Sequence, residues 1–520
     1  MSQSATTWTH QLRRGLRRAL VSALLGLALP GVTDIEAQAP DLPVLEHTLE
    51  NGMRFLLLPR EGPATISFVV HVPVGSVNES LGSTGIAHVL EHLLFKGSTS
   101  IGTEDVEAEL ELFARMDAVH DTLVRERGRV PLPDTARVKA LEERIRALED
   151  SARTYVRTSE YAEILARAGA RGLNATTSYE VTEYFVQLPA NQMELWFILE
   201  ADRMRNPIFR EFYVERDVIA EERRARIENA PRGRLWETHT AAAFQVHPYG
   251  VAPIGHMDDI LSISRPAVEE YYRTHYGPDN TIVAIVGDFD PDSAVTWARD
   301  YFGPLERGKP PPPVLVREPE QRGERRVEVR ADAEPQLRIG WKTPSIYHDD
   351  SPALAVLVNL LVSGRESRLY QRLVRDDRIA ASVTAASGVG RRYPGLFTLQ
   401  ATPRSPHSPE EVEAAIYEEL QRLHSDPPTT TELERVRRRL EATEVRRLTS
   451  NLGLAFQLVD SESYWGDWRT TFAWQARMAE VEGPDILRVL KRYFHDEGRT
   501  VGILRRSEGT AGGNGDGEVR

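Results

Sequence analysis

Cysteine is absent from all 520 residues. Disulfides, a thiol nucleophile and a thiolate-based zinc site are therefore excluded, and any metal chemistry must rest on histidine and carboxylates. A long apolar run is missing too: Ala19 to Leu29 is too short to make a stable membrane span. No basic stretch after residue 40 dominates its surroundings, and the net charge of −13 argues against a nucleic-acid partner. What remains is an ordinary globular composition, 41% hydrophobic and 27% charged, in a chain long enough for two or more domains.

Residues 1–39 read as a signal peptide. Arg13, Arg14, Arg17 and Arg18 precede the apolar run, and Ala37-Gln38-Ala39 supplies small residues for cleavage, a pattern that implies secretion or a periplasmic location. A mitochondrial presequence is the rival, because the segment is Arg-rich with no acidic residue before Asp34.

The most informative motif is His88-Val89-Leu90-Glu91-His92, inside the apolar run Gly85 to Phe95. In a helix, positions i, i+3 and i+4 are neighbours, so His88 and His92 reach one cation while Glu91 sits beside it. Two imidazoles suit Zn²⁺, and a catalytic zinc takes three protein ligands and leaves a fourth position for a water of lowered pKa, whose proton Glu91 would accept. The order H-x-x-E-H is the inverzincin signature. The flanking residues are apolar nearly all round, which reads as a buried helix, and buried His and Glu side chains need partners that a metal would supply. The bland alternative is a helix that happens to carry these residues.

A further ligand is sought on the acidic segment Phe212 to Arg224. Glu215 and Glu222 lie two helical turns apart and share a face. Taken alone, the segment reads equally as a solvated helix laced with i,i+4 ion pairs.

Together these segments resemble the pitrilysin or insulinase family of zinc metallopeptidases. The matching stretches run in family order: Leu49 to Arg54, Gly75-Ser76, Gly85 to Ser98, Leu173-Asn174-Ala175-Thr176-Thr177 with Thr182 and Tyr184, Glu215 to Arg223, and Gly287-Asp288. The resemblance implies one Zn²⁺ per chain held by His88, His92 and Glu222, with Glu91 as general base and Glu215 in a supporting role. Glu221 is the competitor for the ligand position. It also implies that Asn174 and Ala175 lie on an edge strand to which a peptide substrate adds as a further strand. Arg391, Arg392 and Tyr393 are candidate substrate contacts from the second half, although a basic-aromatic turn before Pro394-Gly395 is a common feature.

The expected fold is α+β, with two α/β-sandwich halves in tandem of the kind shared by LuxS and the processing peptidases. Pro266 to Tyr276, leading to Ile282 to Val286, parallels Pro484 to Phe494, leading to Val501 to Leu504, at a constant offset of 218 residues. The first domain spans 40–306 and carries the pentad, the Pro-rich stretch 307–323 is a linker, the second domain spans 324–506 without a metal motif, and 507–520 is a polar, Gly-rich tail. Within 102–165 the chain carries about fifty residues more than the resemblance leads one to expect, and their helical pattern predicts an inserted hairpin.

The expected function is a zinc metalloendopeptidase acting on peptides or extended protein segments, working as a homodimer or as a heterodimer with a zinc-less paralogue. The alternative is a non-catalytic peptide-binding or assembly subunit.

Overall fold

A computed structural model describes residues 42–387 and 390–507. The expected signal peptide 1–39 lies outside the described residues, as do residues 508–520 of the expected tail.

The first half begins with the strands β1 (Leu45–Thr48), β2 (Arg54–Pro59) and β3 (Thr65–Val72), followed by the short helix α1 (Ile86–Leu93). Helices α2 (Val106–Arg127), α3 (Thr135–Arg153) and α4 (Glu160–Arg167) lead to the hairpin of β4 (Arg171–Thr177) and β5 (Thr182–Pro189). Then come α5 (Met193–Arg205), α6 (Phe212–Arg223), α7 (Pro231–Ala243), α8 (Met257–Ser262), α9 (Arg265–His275), β6 (Ile282–Gly287) and α10 (Pro291–Trp297). The second half opens with β7 (Arg325–Ala331), β8 (Gln336–Thr343), α11 (Ser351–Val362), β9 (Ala380–Ser387) and β10 (Gly395–Pro403). It closes with α12 (Pro409–Ser425), α13 (Thr430–Thr449), α14 (Asn451–Trp465), α15 (Thr470–Glu480), α16 (Gly483–Tyr493) and β11 (Arg499–Arg506).

The strand orders are β1-β2-β6-β3-β5-β4 and β7-β11-β8-β10-β9, so the second sheet repeats the first without its β1. In each sheet one pair is parallel, β2 with β6 and β7 with β11, and the next is antiparallel, β6 with β3 and β11 with β8. The 218-residue sequence repeat is thus the unit α9–β6 and its copy α16–β11. The topology is the expected tandem of two α+β halves.

The halves exchange helices. β2 reads as an unbroken apolar run because both its faces are covered. Phe55 and Leu57 point into the first half's own helical layer, whereas Leu56 and Leu58 pack with Leu454, Leu458 and Val459 of α14 from the second half. In return α7 of the first half lies on the second sheet, where Leu235 meets Leu504 and His239 Nε2 stands 3.0 Å from the Thr500 carbonyl. Gly340 leaves room for that imidazole, since a Cβ there would fall 2.8 Å from His239 Cε1.

The α2–α3 hairpin is helical as expected, and it buries its apolar stripe against the first half. Phe113, Met116, Leu123, Ile145 and Leu148 are contiguous with that core. Glu109, fully buried, pairs with Arg210, whose guanidinium also donates to the Lys96, Ser98 and Ile101 carbonyls. Arg216 of α6 lies 3.1 Å from His120 Nε2. The hairpin therefore braces both the segment after α1 and the helix α6.

Candidate metal centre

α1 starts abruptly because Gly85 takes φ +91° and has the Ile254 carbonyl 2.6 Å from where a Cβ would sit. The half-buried Glu79 carboxyl accepts the Gly85 and Ala87 N–H groups at 2.8 and 2.9 Å, and desolvation pushes its pKa up to about 8 against those two bonds. The helix start is fixed, and with it the direction of the side chains one and two turns on.

His88 and His92 emerge on one face of α1, with ring centroids 4.8 Å apart and planes at 79°. α6 packs beside it and turns Glu222 toward both rings: its Oε2 lies 3.8 Å from His88 Nε2 and 3.7 Å from His92 Nε2. The three ligand atoms all fall within 4.8 Å of one another. Zn²⁺ with bonds of about 2.0–2.1 Å in a tetrahedral site needs donors roughly 3.4 Å apart, so the residues present fit the ion closely.

The surroundings orient each donor. His92 Nδ1 is 3.2 Å from Glu215 Oε2, and Lys96 Nζ holds the other Glu215 oxygen at 2.6 Å while also reaching Glu211 at 3.0 Å. Burial opposes ionisation of Glu215, but its bonds to His92 and Lys96 outweigh that and lower its pKa. Arg226, one turn beyond Glu222, binds the outer oxygen of Glu222 at 2.6 Å from a π-helical turn, Arg224–Glu228. Burial, helped by His92 and Arg226, pulls His88 down to about 3, so its imidazole is neutral as a ligand must be. Glu221 points the other way, 72% exposed and paired with Arg224, which leaves Glu222 as the α6 carboxylate facing the histidines.

Glu91 is 8% exposed. Desolvation raises its pKa, opposed by a hydrogen bond from the Thr177 side chain on β4. β4 is the outer strand of its sheet, and Asn174 and Ala175 pair inward with Phe185 and Tyr184, leaving the other side of the strand without a neighbour among the described strands.

Arg392 and Tyr393 keep different company. The Arg392 guanidinium donates to the Ser463 carbonyl and hydroxyl and lies over the Tyr464 ring, and Tyr393 packs on His247 and Tyr249. A cavity of about 800 Å³ in the second half, lined by residues such as Leu354, Phe456, Tyr464 and Trp474, includes none of the pentad. A second cluster, His71, Glu183 and Asp460, also converges within 4.8 Å, but there the cation is Arg391, 3.5 Å from Asp460. Lys96, Arg226 and Thr177 were not foreseen from sequence; the i,i+4 spacing of Glu222 and Arg226 was the available signal.

Among the described residues, no helix is long and apolar enough to cross a membrane. The sequence profile described as "Insulinase (Peptidase family M16)" matches residues 56–117 and 148–255, and "Peptidase M16 inactive domain" matches 262–440. The first match breaks across the tip of the α2–α3 hairpin. The chain is 27% identical to "Zinc protease PqqE" of Helicobacter pylori, over 88% of this chain and 92% of that one. It is 24% identical to "Probable mitochondrial-processing peptidase subunit beta, mitochondrial" of Arabidopsis thaliana, over 88% and 77%. A crystal structure of a protease from Helicobacter pylori superposes with TM-score 0.74 at 26% identity, covering 89% of this chain and all of that one. The periplasmic protease PqqL from Escherichia coli superposes with TM-score 0.67 at 17% identity, covering 89% of this chain but 48% of that one. The chain belongs to the insulinase family of peptidases, family M16.

Proposed function

We propose that the chain is a zinc-dependent metalloendopeptidase, with His88, His92 and Glu222 as ligands and Glu91 as general base. The observation that carries this reading is the convergence of three ligand atoms within 4.8 Å, with a buried glutamate on the helix that bears both histidines. When bound, Zn²⁺ supplies a Lewis acid that polarises the scissile carbonyl and lowers the pKa of water.

The chain's own residues do the rest. Glu91, its pKa raised by burial, accepts the proton of the attacking water and delivers it to the leaving amine nitrogen as the C–N bond breaks. Glu215, with Lys96 behind it, orients His92, and Arg226 does the same for Glu222. The open side of β4 at Asn174 and Ala175 offers backbone N–H and C=O groups to an extended peptide, so recognition tolerates many sequences.

The half-length relation to PqqL supports assembly with a second copy or with a zinc-less relative to close a chamber around the substrate. Residues 1–39 are proposed as a secretory signal, checked by sequencing the mature N-terminus. Glu91→Gln is the direct test of the chemistry: one zinc per chain is retained and peptide turnover is lost. Turnover retained in that variant would remove Glu91 from the mechanism.

A further inference from the structure

Glu180 sits at the tip of the β4–β5 hairpin, 2% exposed, and takes no part in the metal centre. Donors converge on its carboxylate from both halves. The Arg391 N–H lies 3.0 Å from each oxygen, the Arg392 N–H 2.7 Å from Oε1 and the Tyr464 hydroxyl 2.9 Å from Oε2. The Tyr249 hydroxyl of the first half completes the set and in turn accepts the Tyr393 N–H at 3.4 Å. The two arginine side chains are spent elsewhere, on Asp460 and Ser463, so the main chain of the 390–392 turn is what grips Glu180.

That turn is shaped for the purpose. Gly390 has φ +72°, and the space a Cβ would need is filled by the Tyr249 phenol. On the other side of Glu180, the hairpin runs directly into β4, whose Thr177 side chain faces Glu91 closely enough to oppose its pKa rise and whose Asn174 and Ala175 form the open edge. A buried carboxylate is thus the joint between the second half and the strand that borders the metal centre.

We propose that Glu180 is a positioning residue: by docking the 390–392 turn it sets the place of β4, and so the alignment of a peptide added to that strand. This rests on the peptidase reading above. It assigns the second half, which lacks the pentad, a task, holding the substrate-binding edge in register with Glu91.

Glutamine at 180 keeps one acceptor oxygen but replaces the other with an NH₂ and removes the charge, so the grip on the Arg391 and Arg392 N–H groups is weakened. The test compares wild type, Glu180→Gln, Gly390→Ala and the milder Tyr464→Phe. Zinc content should stay at one per chain in all four, while KM for a peptide substrate rises about tenfold or more in the first two variants with kcat changed far less, because the loss is of substrate alignment and not of the base. Tyr464→Phe, which removes one donor of several, should show a smaller rise in the same direction. KM within about twofold of wild type in both Glu180→Gln and Gly390→Ala would overturn the proposal. A fluorescent peptide titrated into Glu91→Gln and into Glu91→Gln/Glu180→Gln separates this from the peptidase reading. If wild type binds but does not cleave, the peptidase reading fails alone, and Glu180 is judged by Kd: about tenfold weaker in the double variant supports it, and equal Kd overturns it.

Discussion

His92 Nδ1 and the Glu215 carboxylate lie 3.2 Å apart, and Glu215 is itself anchored by Lys96 at 2.6 Å. With Nδ1–H donating to Glu215, the Nε2 lone pair is left facing Glu222, so a residue two turns from the ligand on α6 selects the tautomer on α1.

Glu215→Gln is therefore expected to weaken zinc affinity by about 10–100-fold, read by competition with a chromogenic chelator, without abolishing binding. Glu222→Gln should abolish it, and Glu221→Gln should change nothing. Normal affinity in Glu222→Gln would reassign the α6 ligand.

Removing Arg210 leaves Glu109 buried and unpaired at the root of the α2–α3 hairpin. Arg210→Ala should cost about 3–5 kcal/mol of stability by urea denaturation. Deleting residues 104–160 should be worse, because it leaves Arg210 without Glu109 and uncovers the face of α6 carrying Tyr213 and Arg216. A deletion variant as stable as wild type would make the hairpin an overlay.

His239, buried between α7 and the second sheet, has its pKa pulled down to about 3 by burial and by Arg338. Since the folded value lies below the unfolded one of about 6.5, the unfolded chain binds the extra proton, and stability is lost as pH falls from about 6.5 toward 3. Between pH 7 and 5 this single group should remove about 2 kcal/mol, which His239→Gln should spare. Urea midpoints at the two pH values in both proteins measure it, and parallel losses would exclude His239 as the titrating group.

Legibility in the sequence followed contact range. His88, Glu91 and His92 were readable because one helical turn brings them together, and the tandem fold because α9–β6 and α16–β11 repeat at a fixed offset. Glu222 was indistinguishable from Glu221 until resemblance, and then packing, separated them. Glu180 gave no local signal, since its partners Arg391 and Tyr464 lie 211 and 284 positions away. The exchange of α7 and α14 was hidden for the same reason: an apolar stripe shows that a helix is covered but not by which sheet. The hairpin's helices were read from periodicity, whereas its hold on α6 depends on the long-range His120–Arg216 contact.

The most direct measurement is incubation of the zinc-loaded protein with a mixed peptide library, beside Glu91→Gln and a chelator-stripped sample. The expected result is cleavage by the loaded protein alone, restored to the stripped sample by Zn²⁺. Cleavage persisting in either control, or a wild-type protein that holds zinc and leaves every peptide intact, would contradict the assignment of His88, Glu91, His92 and Glu222 as a working peptidase site.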